Sequence, residues 1–285
     1  MKIVQIVGIG LAGGLVLTGA GLVAQGQQRG DHVTVPFSDP SRPGTLKVRL
    51  IQGGLSIKTT SGREVIVDAS GQIAQAPNRP ARSSPRADGL RRLTQPPGLN
   101  IEEEANVISI SARPNDDGHL DIQVPARTNL QLSLVNGGNI VVEGVDGDIE
   151  VNNVNGGITL TNVAGTVVAH SVNGGVLATV RQVAAQKPMA FTSLNGEVDV
   201  TLPAALKANL KLRSDQGDVY TDFDVQTTTP PAPASTAPPG RSRDRGDRGK
   251  YRLRADASIY GTVNGGGPEI ELRTFNGDVF LRKGK

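Results

Sequence analysis

Cysteine is absent from the 285 residues. Disulfides, thiolate metal sites, cysteine nucleophiles and lipidation of an amino-terminal cysteine are thereby excluded. An exported chain of this composition has only its core to stabilise it. Aromatic residues are scarce, at 3%. No serine stands in a nucleophile elbow, and no Gly-rich stretch precedes a helix, so neither acyl transfer nor phosphate binding finds a motif. The three histidines, His32, His119 and His170, lie far apart in the chain. What is abundant is glycine (36) with proline (18), a balance that suits an all-β chain with many turns.

The net charge of +3 misleads. Arg79, Arg82, Arg86, Arg91 and Arg92 stand against Asp88 in one Pro/Arg-rich stretch. Arg241, Arg243, Arg245, Arg248 and Lys250 stand against Asp244 and Asp247 in another. Without these two stretches the remainder is acidic. The positive charge is therefore not on a patterned face, and no nucleic-acid partner is expected. The tripeptide Arg245-Gly246-Asp247 falls in a run of Arg, Asp and Gly that produces it by chance.

Lys2 precedes an apolar run from Ile3 to Val23, followed by the small-x-small site Ala24-Gln25-Gly26. This reads as an export signal over residues 1–26, with cleavage favoured over a retained anchor because glycines interrupt the run. The expected compartment is the periplasm, the cell surface or the medium.

The centre of the chain repeats every nine residues. Gly138, Gly147, Gly156, Gly165 and Gly174 are evenly spaced. Each is followed after two residues by Ile140, Ile149, Ile158, Val167 and Val176, and after four by Val142, Val151, Leu160, Ala169 and Ala178. Alternation at period two gives a strand with one buried face. Asn136, Asn155, Asn173, Asn195, Asn264 and Asn276 precede glycines, as does Asp146; these pairs mark tight corners, with Gly196 and Gly277 continuing the series. A third aliphatic, Val145, Val154, Val163 or Val172, is expected to face inward from each corner.

A flat meander would need successive hairpins of very short strands. A coil is the better solution, with two units to a turn. Units from 138, 156 and 174 then stack on one wall, and those from 147 and 165 on the other. Glu150 should align with Val168, and Glu143 with Thr161. The fold class expected is all-β, a β-solenoid (β-helix or β-roll). Asparagines at successive corners are placed to form a hydrogen-bonded ladder. A lone unit cannot offset its ordering entropy, so the units hold only as an array.

The expected organisation is N-terminal strands over 31–73, a disordered basic insert over 74–98, a central solenoid over 99–225, a disordered Pro/Arg-rich loop over 226–250, and C-terminal strands over 251–285. A longer echo also appears. "IQVPARTNLQL" (122–132) resembles "VTLPAALKANLKL" (200–212).

The stretches "GREVIVDA", "IQVPARTNLQLSLVNGGNIVVEGVDGDIEVNNVNGGITLTNVAGTVVAHSVNGG", "KPMAFTSLNGEVDVTLP" and "QGDVYTDFD" together resemble the bacterial putative-adhesin domains of unknown function, related to the head-GIN adhesin-like domains. The resemblance implies an exported bacterial β-solenoid. It supplies no catalytic residue.

No cofactor or metal is expected. The calcium β-roll needs aspartate at its sixth position, where this chain has Glu143, Asn152, Thr161 and His170. The outer walls should carry Val141, Thr159, Thr161, Val168, Leu177 and Thr179, with no column of acids for glycoside hydrolysis. The function expected is a non-enzymatic, adhesin-like binding or structural module, with a cell-envelope polymer or protein as the class of partner. Two other readings stay open. One is a polysaccharide-active β-helix enzyme. The other is an envelope-stress or assembly factor whose basic loops contact anionic lipid or lipopolysaccharide.

Overall fold

The computed structural model describes residues 31–71, 73, 98–112, 117–184, 186–227 and 258–284. The export signal, residues 74–97 of the insert expected over 74–98, and residues 228–257 lie outside the described residues; Gln226 and Thr227, expected to begin the Pro/Arg-rich loop, form a short strand instead.

Every regular element described is a strand. In chain order they are β1 (Asp31–Pro36), β2 (Gly44–Gln52), β3 (Gly54–Thr60), β4 (Glu64–Gly71), β5 (Asn100–Glu104), β6 (Val107–Ser111), β7 (Gly118–Pro125), β8 (Thr128–Asn136), β9 (Ile140–Glu143) and β10 (Asp146–Asn155). They continue as β11 (Ile158–Asn173), β12 (Val176–Val183), β13 (Met189–Asn195), β14 (Val198–Leu202), β15 (Ala208–Ser214), β16 (Val219–Thr221), β17 (Gln226–Thr227), β18 (Ile259–Val263), β19 (Glu269–Asn276) and β20 (Val279–Lys283).

These strands wind as a β-solenoid with two walls. In the centre one coil takes eighteen residues. Ile140 pairs with Ile158, and Ile158 with Val176. On the other wall Ile149 pairs with Val167, and Glu150 with Val168. β11 serves both walls, turning the corner through a register shift at Leu160–Ala164, where Asn162 has φ 54°. Parallel strands in register let each coil satisfy the backbone groups of the next, which a single coil cannot do.

The coils do not stack in chain order. The first wall runs β6, β2, β8, β10, β11, β13, β19, β15. The second runs β7, β3, β9, β11, β12, β14, β20, β16. The coil β2–β3 is therefore inserted between β6–β7 and β8–β9. The coil β19–β20 is likewise inserted between β13–β14 and β15–β16. At both ends the chain passes over a coil supplied from elsewhere in the sequence.

The two links that make these passes are the two halves of the sequence echo. Pro125-Ala126-Arg127 leads from β7 to β8, and Pro203 to Lys207 leads from β14 to β15. Proline ends each preceding strand because it has no N–H to give the ladder. Thr128, fully buried, donates its hydroxyl to the Pro125 carbonyl at 2.7 Å. Asn264 donates its amide to the Leu206 carbonyl at 2.7 Å, so its role is to hold the second link.

Between the walls lies a dry core of Val, Ile, Leu and Ala. Ile140, Val142, Ile149, Val151, Ile158, Leu160 and Val167 are all buried in it. Phe191 is the largest fully buried side chain. Antiparallel strands close most of the ends: β4 and then β1 beyond β7, β5 beyond β6, and β18 with β17 beyond β15. Such caps blunt edges that would otherwise pair with other chains.

Candidate interaction surfaces

The nine-residue repeat proves to be half of a repeat, because its two corners differ. At the second corner Val145, Val163 and Val180 point into the core. At the first corner the equivalent valines do not. Val154 is 37% exposed and Val172 is half-buried, which corrects the expectation that both face inward. The inward seat there belongs to the preceding residue, which is Leu50 and Leu134 in the β2 and β8 coils and polar in the coils that follow them. Asn153, Ser171, Ser193 and Thr274 are buried. Each donates to a glycine carbonyl of the neighbouring coil: Asn153 to Gly138 at 3.0 Å, Ser171 to Gly156 at 3.0 Å, Ser193 to Gly174 at 2.9 Å and Thr274 to Gly196 at 2.8 Å. Ser214 does the same to Gly277 at 2.8 Å. In these coils the corner carbonyl turned toward the interior has a side-chain donor, which an aliphatic substitution would remove. The signal available in the sequence is a polar residue two places before Asn155, Asn173, Asn195, Gln216 and Asn276.

Outside this row runs a second ladder. Asn155 donates to Asn136 at 2.6 Å, Asn173 to Asn155 at 2.8 Å, Asn195 to Asn173 at 2.9 Å and Asn276 to Asn195 at 2.6 Å. None of these asparagines has positive φ, which falls instead on the glycines that follow or on Gly137. Those glycines are required as much by contact as by φ. A Cβ on Gly156 would overlap the Gly138 carbonyl oxygen. One on Gly196 would stand 2.6 Å from the Gly174 carbonyl carbon, and one on Gly277 2.6 Å from the Gly196 oxygen. Of the other residues expected at turns, Asp146 and Gly147 begin β10 rather than forming a corner, since the bend is taken at Gly144 (φ 79°). Gly165 lies within β11 with φ 106°, and Gly138 sits in the first corner beside the positive-φ Gly137.

Between the two ladders the displaced aliphatic residues form a ridge on the outside. Ile51 (38% exposed), Val135 (36%), Val154 (37%), Val172, Leu194 (44%) and Phe275 (40%) occupy one register position on successive coils. With strands about 4.8 Å apart the ridge is about 24 Å long. It carries no charged residue, and it lies beside an uncharged amide ladder. Isolated exposed aliphatics are ordinary, but an aligned row is not.

The wall faces are mixed. On the first wall Ser133, Asn152, His170 and Thr192 share one column, and His170 Nδ1 lies 2.6 Å from the Thr192 hydroxyl. His32 pairs with Asp68 at 2.6 Å, and His119 lies 2.9 Å from the Ser56 hydroxyl; the three histidines are not brought together. Among the described residues no three His, Asp or Glu converge as a metal site. The Lys211 ammonium, bonded to Glu271 at 3.1 Å, is held above its usual range.

At the far end of the second wall the rings of Tyr220 and Phe280 stack, with centroids 5.2 Å apart and planes within 11°. The Arg282 guanidinium lies over Phe280 at 5.1 Å and bonds Asp199 at 2.8 Å. Asp218 accepts from the Tyr220 hydroxyl at 3.3 Å, and its carboxylate pushes that phenol above the usual tyrosine value.

Two cavities are formed where links cross the second corner. One, of about 460 Å³, is lined mainly by Val183, Ala184, Pro203, Ala205 and Leu206 with Arg181 and Lys207. The other, of about 170 Å³, has Phe37 with Arg42, Arg63 and Arg127. Neither is lined by a carboxylate.

Residues 115–237 match the family model described as Toastrack DUF4097. No curated protein matches the chain. Among solved structures, a putative cell adhesion protein from Clostridium sporogenes is 10% identical, with 90% of this chain and 100% of that one covered, at a TM-score of 0.44. A putative adhesin from Bacteroides fragilis is 8% identical, with 90% and 98% covered, at 0.26. Over residues 115–237 the chain is thus similar to the Toastrack family.

Proposed function

We propose that this chain is an exported, non-enzymatic adhesin-like module, and that it meets its partner along the ridge at the asparagine corner. The observation that carries this reading is the alignment of Ile51, Val135, Val154, Val172, Leu194 and Phe275 on the outside of six neighbouring coils. Apolar side chains held at a fixed pitch on a rigid frame offer a long, pre-organised contact line, which lowers the ordering cost of binding. The amides beside them supply donors and acceptors for a polar polymer or a protein edge. Export rests on Lys2, the apolar run to Val23 and the Ala24-Gln25-Gly26 site.

The test is retention of the mature chain on whole bacterial cells and on an array of envelope glycans and proteins. The wild type should be retained. The double substitution Leu194→Asn with Phe275→Asn should lose retention by more than tenfold while keeping its strand spectrum. Retention unaffected by that pair would overturn the assignment of the ridge.

A further inference from the structure

We infer that the open end of the second wall, strand β16 with Tyr220, is a docking site for an extended, arginine-bearing peptide strand of a partner protein. This site is separate from the ridge, and it goes beyond the binding role proposed for that corner.

The first observation is topological. The outermost first-wall coil strand, β15, is covered by the antiparallel strand β18, and β7 at the opposite end is covered by β4. Among the described residues β16 pairs with β20 alone, which leaves its other edge open to them. Val279 N donates to the Asp218 carbonyl at 2.9 Å. In a parallel pair alternate residues turn their backbone groups to opposite sides. Asp218 and Tyr220 therefore face β20, and Val219 and Thr221 present their N–H and C=O groups to the open edge. An extended peptide can take those groups as a further rung.

The second observation is the stack on that wall, which shows what its rings accept. Phe280 is in register with Tyr220 on one side and Asp199 on the other. Along the wall the order is Asp199, then Arg282 over Phe280, then Tyr220, with no further strand among the described residues. Phe280 thus has a guanidinium on one face, and that guanidinium is fixed by a carboxylate. Tyr220, 49% exposed, carries the next free ring face. Carboxylates stand beside it again: Asp218 accepts from its hydroxyl, and the charges of Asp218 and Asp278 both act on its phenol. The cations nearby are engaged, Arg282 with Asp199 and Lys283 over the Phe223 ring at 5.5 Å. A guanidinium on the open side of Tyr220 would repeat the contact that Arg282 makes with Phe280, with Asp218 in the place of Asp199. Aromatic rings attract cations through their quadrupole, most strongly with a carboxylate adjacent. The same acids disfavour a second copy of this chain placed end to end against the same face, because like charges would meet.

The experiment uses the full mature chain and a fluorescein-labelled ten-residue peptide of alternating Arg and Thr, followed by anisotropy. The control is the same peptide with Glu for Arg. The arginine peptide should bind saturably, and the glutamate peptide should not. Tyr220→Ala should weaken binding about tenfold, the loss expected for a desolvated cation–ring contact. Val219→Pro removes an edge N–H without touching the β20 pairing, and should weaken binding by a similar factor. The ridge substitution Leu194→Asn should leave peptide affinity unchanged, so failure here is distinct from failure of the ridge. Unchanged affinity in both Tyr220→Ala and Val219→Pro would overturn the proposal. So would binding that appears only after Arg241, Arg243, Arg245, Arg248 and Lys250 are all changed to Gln, because the chain's own basic segment would then be the occupant.

Discussion

The Asn276 carboxamide donates to Asn195 at 2.6 Å across 81 positions of sequence. It continues the same ladder that joins Asn195 to Asn173 across 22 positions and Asn173 to Asn155 across 18. The ladder does not register where in the chain a coil comes from. Each coil presents the same corner, and the last coil of the sequence fits a slot prepared between two earlier ones.

The amide ladder is on the surface, so its contribution should be modest. Replacing Asn173 by Ala removes the bonds to Asn155 and to Asn195, whose amides are left free to meet water. Urea unfolding should show a loss of about 1 kcal/mol, in the range of net hydrogen-bond contributions.

The inner row should matter more. Ser171 is fully buried, and its hydroxyl is the side-chain donor to the Gly156 carbonyl. Ser171→Ala strands that acceptor and should cost about 1–3 kcal/mol by the same measurement. A loss no larger than that of Asn173→Ala would contradict the reading of this row as the structural one.

Glycines at the two kinds of site should respond differently. A Cβ on Gly174 would overlap the backbone of Gly156, whereas one on Gly157 would meet its nearest atom at an ordinary 3.4 Å. Gly174→Ala should destabilise by roughly 3 kcal/mol or more, because backbone of two coils must separate. Gly157→Ala should stay within about 0.5 kcal/mol.

The Tyr220 phenol should titrate above its ordinary value of 10.0 because the Asp218 carboxylate opposes the phenolate. Ultraviolet titration of Asp218→Asn should bring it down. Since the folded value is raised, the associated stability is present below the ordinary tyrosine pKa and is lost as pH rises through the folded one.

The walls, the pairing of Ile140 with Ile158 and of Glu150 with Val168, and the buried aliphatic row were legible because period-two alternation and even glycine spacing encode them locally. The unlike corners were less so. A Val follows the polar seat at 154 and 172 just as one occupies the seat itself at 145 and 163, and only the direction of a glycine carbonyl separates the two cases. The order of the coils was not legible, because β20 carries the same pattern as β14 and nothing local says which neighbour it takes. Its one trace was the repeated Pro-Ala link at Pro125 and Pro203, whose meaning depends on the inserted coil. The Tyr220–Phe280 stack joins residues 60 positions apart through that same insertion, and so was equally hidden.

The inserted coil is also the point most open to direct test, helped by the absence of native cysteine. Thr192 and Arg273 are register partners on β13 and β19, whereas Thr192 and Arg213 are separated by β19. Neighbouring strands stand about 4.8 Å apart, within disulfide reach, and strands two apart stand about 9.6 Å apart, beyond it. Under mild oxidation the pair Thr192→Cys with Arg273→Cys should form an intramolecular disulfide, and Thr192→Cys with Arg213→Cys should not. Efficient closure of the 192–213 pair with none at 192–273 would show coils stacked in chain order and contradict the account.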